Sequence, residues 1–136
     1  MTSPQSRIVH LNPLPWVQTF GQDQGQLRLS PAKILTVSGI GALDENGALL
    51  HEGDISAQLS LTMHHLERIL ESGGMNLHDV LRMTVYSTDV DATIASYDAV
   101  SERLRAFGAA PPTTLVGVTR LAIAGMGIQI DASAGR

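Results

Sequence analysis

The chain is 136 residues long, carries a formal net charge of -4 and contains no cysteine. A domain of about 150 residues buries roughly 68–70% of its unfolded surface, so we expect a single domain over residues 1–136. With 9 Lys and Arg against 13 Asp and Glu, we expect no nucleic-acid surface, because affinity for phosphates comes mainly from basic side chains. The absence of cysteine excludes disulfides, a thiol nucleophile and a Cys-type zinc site.

The chain shows no pattern typical of membrane insertion or secretion. Polar residues interrupt every long apolar stretch, so no segment is predicted to span a bilayer. Residues 1–7 lack the basic-then-apolar order of a signal peptide. We therefore expect a cytoplasmic protein that makes no contact with a membrane.

The first third of the chain is rich in turn-forming residues, and we expect residues 1–33 to form an extended N-terminal segment. Short apolar runs predict strands over residues 26–30 and 34–38. The Asn-Gly pair at positions 46–47 predicts a tight turn, because this pair adopts the positive φ angles that such turns need. A further short strand over residues 48–50 is expected to follow.

The pattern then predicts a first helix. Asp54 can cap its N-terminus, and Gly73 and Gly74 can end it, because glycine adopts the left-handed C′ conformation at little cost. Its apolar residues recur at the spacing of one helical face: Ile55, Leu59, Met63, Leu66 and Leu70. Residues 80–87 then form the strongest predicted strand of the chain.

A second helix is predicted after this strand, with Asp91 as its cap and Gly108 at its end. Its expected buried face consists of Ile94, Tyr97, Val100, Leu104 and Phe107. Two strands follow, over residues 114–119 and 128–133, and the last alternates apolar and polar side chains. Two helices cannot cover both faces of a sheet of five or six strands, so we expect copies of the chain to cover the open face.

The histidines do not form a metal-binding pattern. His64 and His65 are adjacent on the first helix and point about 100° apart, so they cannot both bind one metal ion. His10, His51 and His78 are isolated in turn-rich sequence. We therefore predict no metal site and interpret His64 and His65 as surface or interface residues.

Polar residues at strand ends are candidates for a ligand site, because loops beside a rigid sheet commonly hold ligands. Ser38 and Gly39 end one predicted strand, and Thr113 and Thr114 begin another. Gln129 lies on the polar face of the last strand. These groups can position a water or a carbonyl, but none is a general base near neutral pH. In the alternative interpretation the threonines favour the strand and Gln129 lines a subunit interface.

The order of motifs resembles the Rid family of reactive intermediate deaminases, also called YjgF-like or L-PSP proteins. The resemblance extends over residues 34–134, and no single motif in it is specific by itself. The motifs are Val37-Ser38-Gly39, residues 44–47, 53–58 and 70–74, Asp79-Val80, residues 84–86 with Asp89, and residues 116–118 with Leu121. Upstream, Trp16 lies in a Pro-Trp-Val-Gln segment similar to the family's Pro-Tyr-x-Gln, whose aromatic ring lines the pocket.

The resemblance implies a chorismate-mutase-like α+β fold, with a mixed sheet of about six strands and two helices on one face. It also implies a homotrimer whose sheets form a central β-barrel and whose small-molecule pockets lie in the clefts between subunits. Members of the family hydrolyse enamines and imines such as 2-aminoacrylate to a 2-keto acid and ammonia, and they use no cofactor.

Two positions depart most from the family pattern. Thr113 stands where deaminating members carry an arginine that binds the substrate carboxylate. Gln129 stands where they carry a glutamate credited with helping to activate water. Losing the arginine removes a contact worth about 1.5–3 kcal/mol, or roughly ten- to a hundred-fold in affinity for a carboxylate ligand. Arg103, Arg105 and Arg120 are the alternative candidates for this role across a subunit cleft, but none of them is adjacent to Thr113 in the sequence.

Ser38 and Gly39 are retained, whereas Tyr97 replaces a family asparagine and Ile40 a family glutamine. The resemblance therefore assigns catalytic positions to Ser38, Thr113 and Gln129, and substrate-binding positions to Gly39, Thr114, Tyr97 and Trp16.

Two functional hypotheses follow. The first is a cofactor-independent enamine or imine deaminase whose specificity has shifted to substrates that lack an α-carboxylate. The second is a non-catalytic trimer that binds a small molecule or a partner protein, since the expected pocket lacks both an ionisable base and a carboxylate clamp. A ribonuclease is disfavoured by the acidic charge balance and by the lack of interleaved basic and aromatic residues.

Overall fold

Six strands and three α-helices make up the described part of the chain, which comprises residues 8–15 and 21–136 of the computed structural model. The strands are β1 (Ile8–Leu11), β2 (Gly25–Arg28), β3 (Ile34–Ile40), β4 (Val80–Ser87), β5 (Thr113–Gly117) and β6 (Ile128–Gly135). The helices are α1 (Ile55–Ser72), α2 (Val90–Ala95) and α3 (Asp98–Ala106), and one 3-10 turn (Leu77–Asp79) leads into β4.

The central sheet is mixed and has four strands in the order β3-β6-β4-β5. β6 runs antiparallel to both of its neighbours, whereas β4 and β5 are parallel. β1 and β2 form a separate antiparallel hairpin, so the prediction of one sheet of about six strands is wrong. The strands of the hairpin do not pair with the central sheet and instead bond to the rest of the protein through side chains. Gln26 donates a hydrogen bond to Ala110 O, and Arg28 donates to two carbonyls of the segment 78–80.

The prediction of the first helix is confirmed by α1. Asp54 accepts a hydrogen bond from Ala57 N at 3.0 Å, and Gly73 forms the C-cap. The side chains of its predicted inner face that are fully buried are Leu59, Met63, Leu66 and Leu70. They pack against the apolar face of β6 in one core cluster, and this burial of apolar surface is the main source of stability.

The second predicted helix is in fact two helices, α2 and α3. Asp89, and not Asp91, caps α2, because Asp89 Oδ1 accepts a hydrogen bond from Ala92 N at 3.0 Å. The hydroxyl of Thr93 donates to Asp89 O at 2.9 Å, a back-bond of the kind that bends helices. The helix ends at Ser96, and the chain turns before α3 begins.

The break between α2 and α3 shifts the helical phase, so one continuous apolar face is not maintained. Tyr97, Val100 and Leu104 are buried as predicted. Ile94 is 45% exposed and Phe107 is 41% exposed, so their predicted burial is wrong.

Asp89→Ala is expected to lower the free energy of unfolding by about 1 kcal/mol, because it removes the N-cap of α2. Asp91→Ala is the matched control. Asp91 interacts only with the helix dipole, so its loss should lower the free energy of unfolding by about 0.3 kcal/mol. Urea denaturation followed by circular dichroism measures both. A loss for Asp91→Ala equal to that for Asp89→Ala would contradict the assigned cap.

The last three strands confirm the predicted ones, with small shifts at their ends. Ile128, Ile130 and Ala132 of β6 are buried toward α1, while Gln129 and Asp131 face the other side, in the alternation expected from the sequence. The face of the sheet opposite α1 is therefore polar along β6.

The predicted strand over residues 48–50 does not form, and a single bridge between Leu43 and Leu49 takes its place. The predicted turn before it is present, with Gly47 at a φ of 79°. Asp44 Oδ1 accepts hydrogen bonds from the backbone N–H groups of Asn46 and Ala48, at 2.8 and 2.9 Å. The chain turns again at His51, whose φ is 58°, so too little extended chain is left for a ladder.

Candidate functional site

Ser38 and Gly39 lie in a β-bulge near the end of β3. The pairing of β3 with β6 shifts between Val37 and Ile40, so Ser38 and Gly39 stand opposite the single residue Asp131. A bulge bends its strand and re-aims its side chains, and bulges are frequent beside functional sites. The predicted ligand position is thus a local irregularity in an otherwise regular sheet.

The backbone at Gly39 leaves room for the side chain of Gln129. A Cβ atom at position 39 would lie 1.9 Å from Gln129 Nε2 and 2.8 Å from Gln129 Cδ. Any larger residue there would therefore displace Gln129. Both residues line one groove of about 830 Å³, so the structure brings together two of the predicted site residues.

The groove extends from the bulge along the outer side of α1 and the loop before it. Its apolar wall includes Leu43, Leu61, Ile69, Ile123 and Met126, and its polar rim includes Glu45, His64, His65 and Arg68. This lining favours a ligand with an apolar body over a small charged one.

The two histidines of α1 have different surroundings. His65 Nε2 lies 2.9 Å from Leu43 O, and because a carbonyl only accepts hydrogen bonds, this nitrogen carries a proton. His64 is exposed, as expected for a surface residue, and its ring centroid lies 6.1 Å from that of His65.

Thr113 and Thr114 begin β5, at the edge of the sheet opposite β3. Thr113 Oγ1 donates a hydrogen bond to Pro111 O at 2.8 Å. Three inter-strand spacings separate the two edge strands, or about 14 Å. A single chain therefore does not bring Thr113 and Thr114 together with Ser38.

Tyr97 lies in the core and does not line the groove that holds Gly39 and Gln129. Its side chain is 4% exposed, and burial raises the pKa of its hydroxyl to about 12. Trp16 lies outside the described residues.

The arginine that lies beside Thr114 in the structure is Arg82, which is not one of the three arginines considered from the sequence. Arg82 Nη2 donates a hydrogen bond to Thr114 Oγ1 at 2.9 Å. Arg103 instead pairs with Glu67 on the helical side of the molecule. The alternation of β4 places Arg82 on the polar face, but its neighbour depends on the register between β4 and β5, which the sequence pattern does not contain.

Polar groups continue across the sheet face opposite α1. Ser38, Arg82, Thr84 and Asp131 line a depression of about 270 Å³. The hydroxyl of Tyr86 donates a hydrogen bond to Asp131 Oδ2 at 3.0 Å, and this bond raises the pKa of Tyr86.

Within residues 8–15 and 21–136, no three His, Asp or Glu side chains lie close enough to one another to hold a metal ion. None of the helices in this part of the chain is long and apolar enough to cross a lipid bilayer.

Three helices packed with a mixed sheet, in this element order, define an α+β protein with the YjgF-like fold. YyfB from Yersinia pestis, a Rid-family protein of unknown function, is 26% identical, with 95% of this chain and 98% of that chain covered and a TM-score of 0.82. The YjgF gene product of E. coli is 23% identical, with 88% of this chain and 91% of that chain covered and a TM-score of 0.67. Protein DfrA of Myxococcus xanthus is 26% identical over 129 residues, 94% of each chain.

The family model for Endoribonuclease L-PSP matches residues 26–135. The chain therefore belongs to the L-PSP family, and the resemblance to YjgF-like Rid proteins predicted from the motifs is confirmed.

Proposed function

We propose that this protein is a cofactor-independent imine and enamine hydrolase that releases ammonia from substrates without an α-carboxylate. The observation that carries the proposal is Thr113, a neutral residue whose hydroxyl already bonds to Pro111 O, at the position where deaminating relatives carry an arginine. Without that cation, a carboxylated substrate loses its bidentate partner, and the nearby Arg82 already donates a hydrogen bond to Thr114 Oγ1.

The proposed site is shared between subunits of a homotrimer with a central barrel. Ser38, Gly39 and Gln129 would come from one chain, and Thr113 and Thr114 from its neighbour. This arrangement is supported by the spacing of about 14 Å between the edge strands, since one chain cannot bring both groups to one substrate. It is also supported by the polar face opposite α1, which subunit packing would enclose.

In this site, Gln129 and Ser38 would orient the imine and a water molecule, and Thr113 would bind a neutral part of the substrate. Gly39 allows Gln129 to lie directly over the bulge, where its amide faces the groove. The apolar wall of the groove would hold the body of the substrate, because burial of apolar surface is favourable at roughly 25 cal/mol per Å².

The test is the hydrolysis of imines generated in situ by amine oxidases and by amino-acid oxidases, followed as release of ammonia. We expect the wild type to accelerate hydrolysis of neutral imines, and we expect Gln129→Leu and Thr113→Val to reduce that rate. The absence of acceleration over solvent for every imine would overturn the proposal.

A non-catalytic, ligand-binding trimer is the second candidate. It is favoured by the chemistry of Ser38, Thr113 and Gln129, none of which exchanges a proton near neutral pH. Loss of measured turnover in Gln129→Leu would exclude it. Cleavage of RNA is disfavoured by the net charge of -4, and a nuclease assay at low salt tests that reading.

A further inference from the structure

A histidine–aspartate pair lies where the loop of the N-terminal hairpin joins its two strands. His10 on β1 contacts Asp23 through Nδ1 and Oδ2, although the two residues are thirteen positions apart. Because a carboxylate only accepts hydrogen bonds, the shared proton belongs to Nδ1 of the neutral imidazole. This leaves Nε2 as the basic nitrogen of the ring.

Asp23 is held firmly enough to orient the imidazole. It is 8% exposed, and its carboxylate also accepts hydrogen bonds from Asn12 Nδ2 at 3.0 Å and Gln26 Nε2 at 2.9 Å. Burial raises the pKa of Asp23, but the hydrogen bonds from Asn12, His10 and Gln26 outweigh burial and lower it, so the group is a carboxylate.

The pair is attached to the segment that contains Thr113. Gln26 Nε2 lies 2.9 Å from both Asp23 Oδ2 and Ala110 O, so one amide joins the carboxylate to this segment. Asp23 N donates to Ala110 O at 3.0 Å, and Gln22 Nε2 donates to Thr113 O at 2.9 Å. The pair therefore stands beside the loop where the family's arginine is missing.

The Nε2 side of the His10 ring is accessible to a substrate. Its side chain is 52% exposed, and none of the other described residues hydrogen-bonds to Nε2. A purely structural role in holding the hairpin would not require an exposed imidazole, because Asn12 and Gln26 already bond to the same carboxylate.

We propose that His10 is the general acid and base of this site and that Asp23 is its positioning residue. The inference rests on the proposed function and supplies the proton-transfer group that Ser38, Thr113 and Gln129 lack. Acid–base catalysis by a positioned imidazole is typically worth about 10²–10⁴-fold in rate.

The neutral imine reacts as its iminium, which it forms by taking a proton from solvent. In the first step, water oxygen bonds to the iminium carbon, the C=N π pair moves onto nitrogen, and His10 Nε2 takes a proton from the water. In the second step, the imidazolium returns this proton to the amine nitrogen. The C–N bond then breaks, its electron pair leaves with ammonia, and the hydroxyl proton passes to that ammonia. The products are a carbonyl compound and ammonium, and His10 is neutral again.

Among the described residues, hydrogen bonds link His10 to two charged side chains. Asp23 contacts the ring directly, and Arg28 lies one step further away, since its guanidinium donates to Gln26 Oε1 at 3.0 Å. Asp79 in turn faces Arg28 from the 3-10 turn.

The test compares His10→Gln with His78→Gln in the full-length protein. Glutamine keeps an N–H donor for Asp23 but removes the base. His78 lies on the 3-10 turn and contacts the hairpin through its backbone carbonyl, which accepts a hydrogen bond from Arg28. We expect His10→Gln to lower kcat for a neutral imine by about a hundred-fold. His78→Gln should retain the wild-type kcat.

The outcomes separate the two proposals. An active wild type with His10→Gln at wild-type turnover would overturn the role of His10 and leave the proposed function standing. A wild type that hydrolyses no imine would overturn both. Independently of activity, ¹⁵N NMR of the imidazole should show the Nδ1–H tautomer, and an Nε2–H tautomer would overturn the role.

Discussion

Leu66→Ala is expected to lower the free energy of unfolding by about 2–5 kcal/mol, the range for leucine-to-alanine changes in closed cores. Leu66 is 0% exposed and lies in the core cluster between α1 and the sheet. The truncation removes apolar contacts and leaves a cavity that the surrounding helices and strands cannot fill by collapse. Chemical denaturation at a fixed protein concentration measures the change.

Ile94→Ala is the matched control, because Ile94 is also an apolar residue on a helix but is 45% exposed. We expect it to change the free energy of unfolding by about 0.5 kcal/mol, as is usual at surface positions. Equal losses in Leu66→Ala and Ile94→Ala would contradict the assigned core.

Gly39→Ala is expected to lower kcat/KM for a neutral imine by about a hundred-fold, since displacing a positioning group by about 1 Å has effects of this size. The new Cβ would lie 1.9 Å from Gln129 Nε2. That atom is the end of a flexible side chain, so Gln129 should move away while the backbone stays in place. Stability should therefore change little, and steady-state kinetics and denaturation of the same sample separate the two effects.

Gly25→Ala controls for the loss of a glycine in a strand, because its Cβ would meet Leu11 Cβ at an ordinary 3.7 Å. It should retain wild-type kinetics. The effects of Gly39→Ala and Gln129→Ala should not add in the double variant, since both remove the same placement of the amide. Full additivity would show that Gly39 acts independently of Gln129.

Much of the fold follows from local pattern. Helix α1 was predictable because Asp54, the buried positions of one face and the closing glycines all favour the same element. The strand β6 was predictable because its alternation separates Ile128 and Ile130 from Gln129. Both elements depend on contacts that repeat at the period of the helix or strand.

The predictions are wrong where contacts between elements, and not local pattern, determine the structure. The break between α2 and α3 depends on the cap at Asp89 and the back-bond of Thr93, which compete with a continuous helix. The separate hairpin depends on side-chain bonds from Gln26 and Arg28 to the body, which replace a strand-to-strand ladder.

The candidate site was predictable only in part. Gly39 and Gln129 were both singled out, but their close approach requires the pairing of β3 with β6. The contact of His10 with Asp23 joins a residue of β1 to a loop residue two positions before β2, and no sequence periodicity links them. The partner of an isolated histidine in turn-rich sequence therefore cannot be predicted until the register of the hairpin is known.

The most direct test of the central claim measures kcat/KM of wild type and Thr113→Arg on one neutral and one α-carboxylated imine of similar size. We predict that the wild type favours the neutral imine and that Thr113→Arg gains roughly ten- to a hundred-fold on the carboxylated one. A wild type that favours the carboxylated imine would contradict shifted specificity. An inert wild type with an active Thr113→Arg would instead indicate a binding protein on an intact hydrolase scaffold.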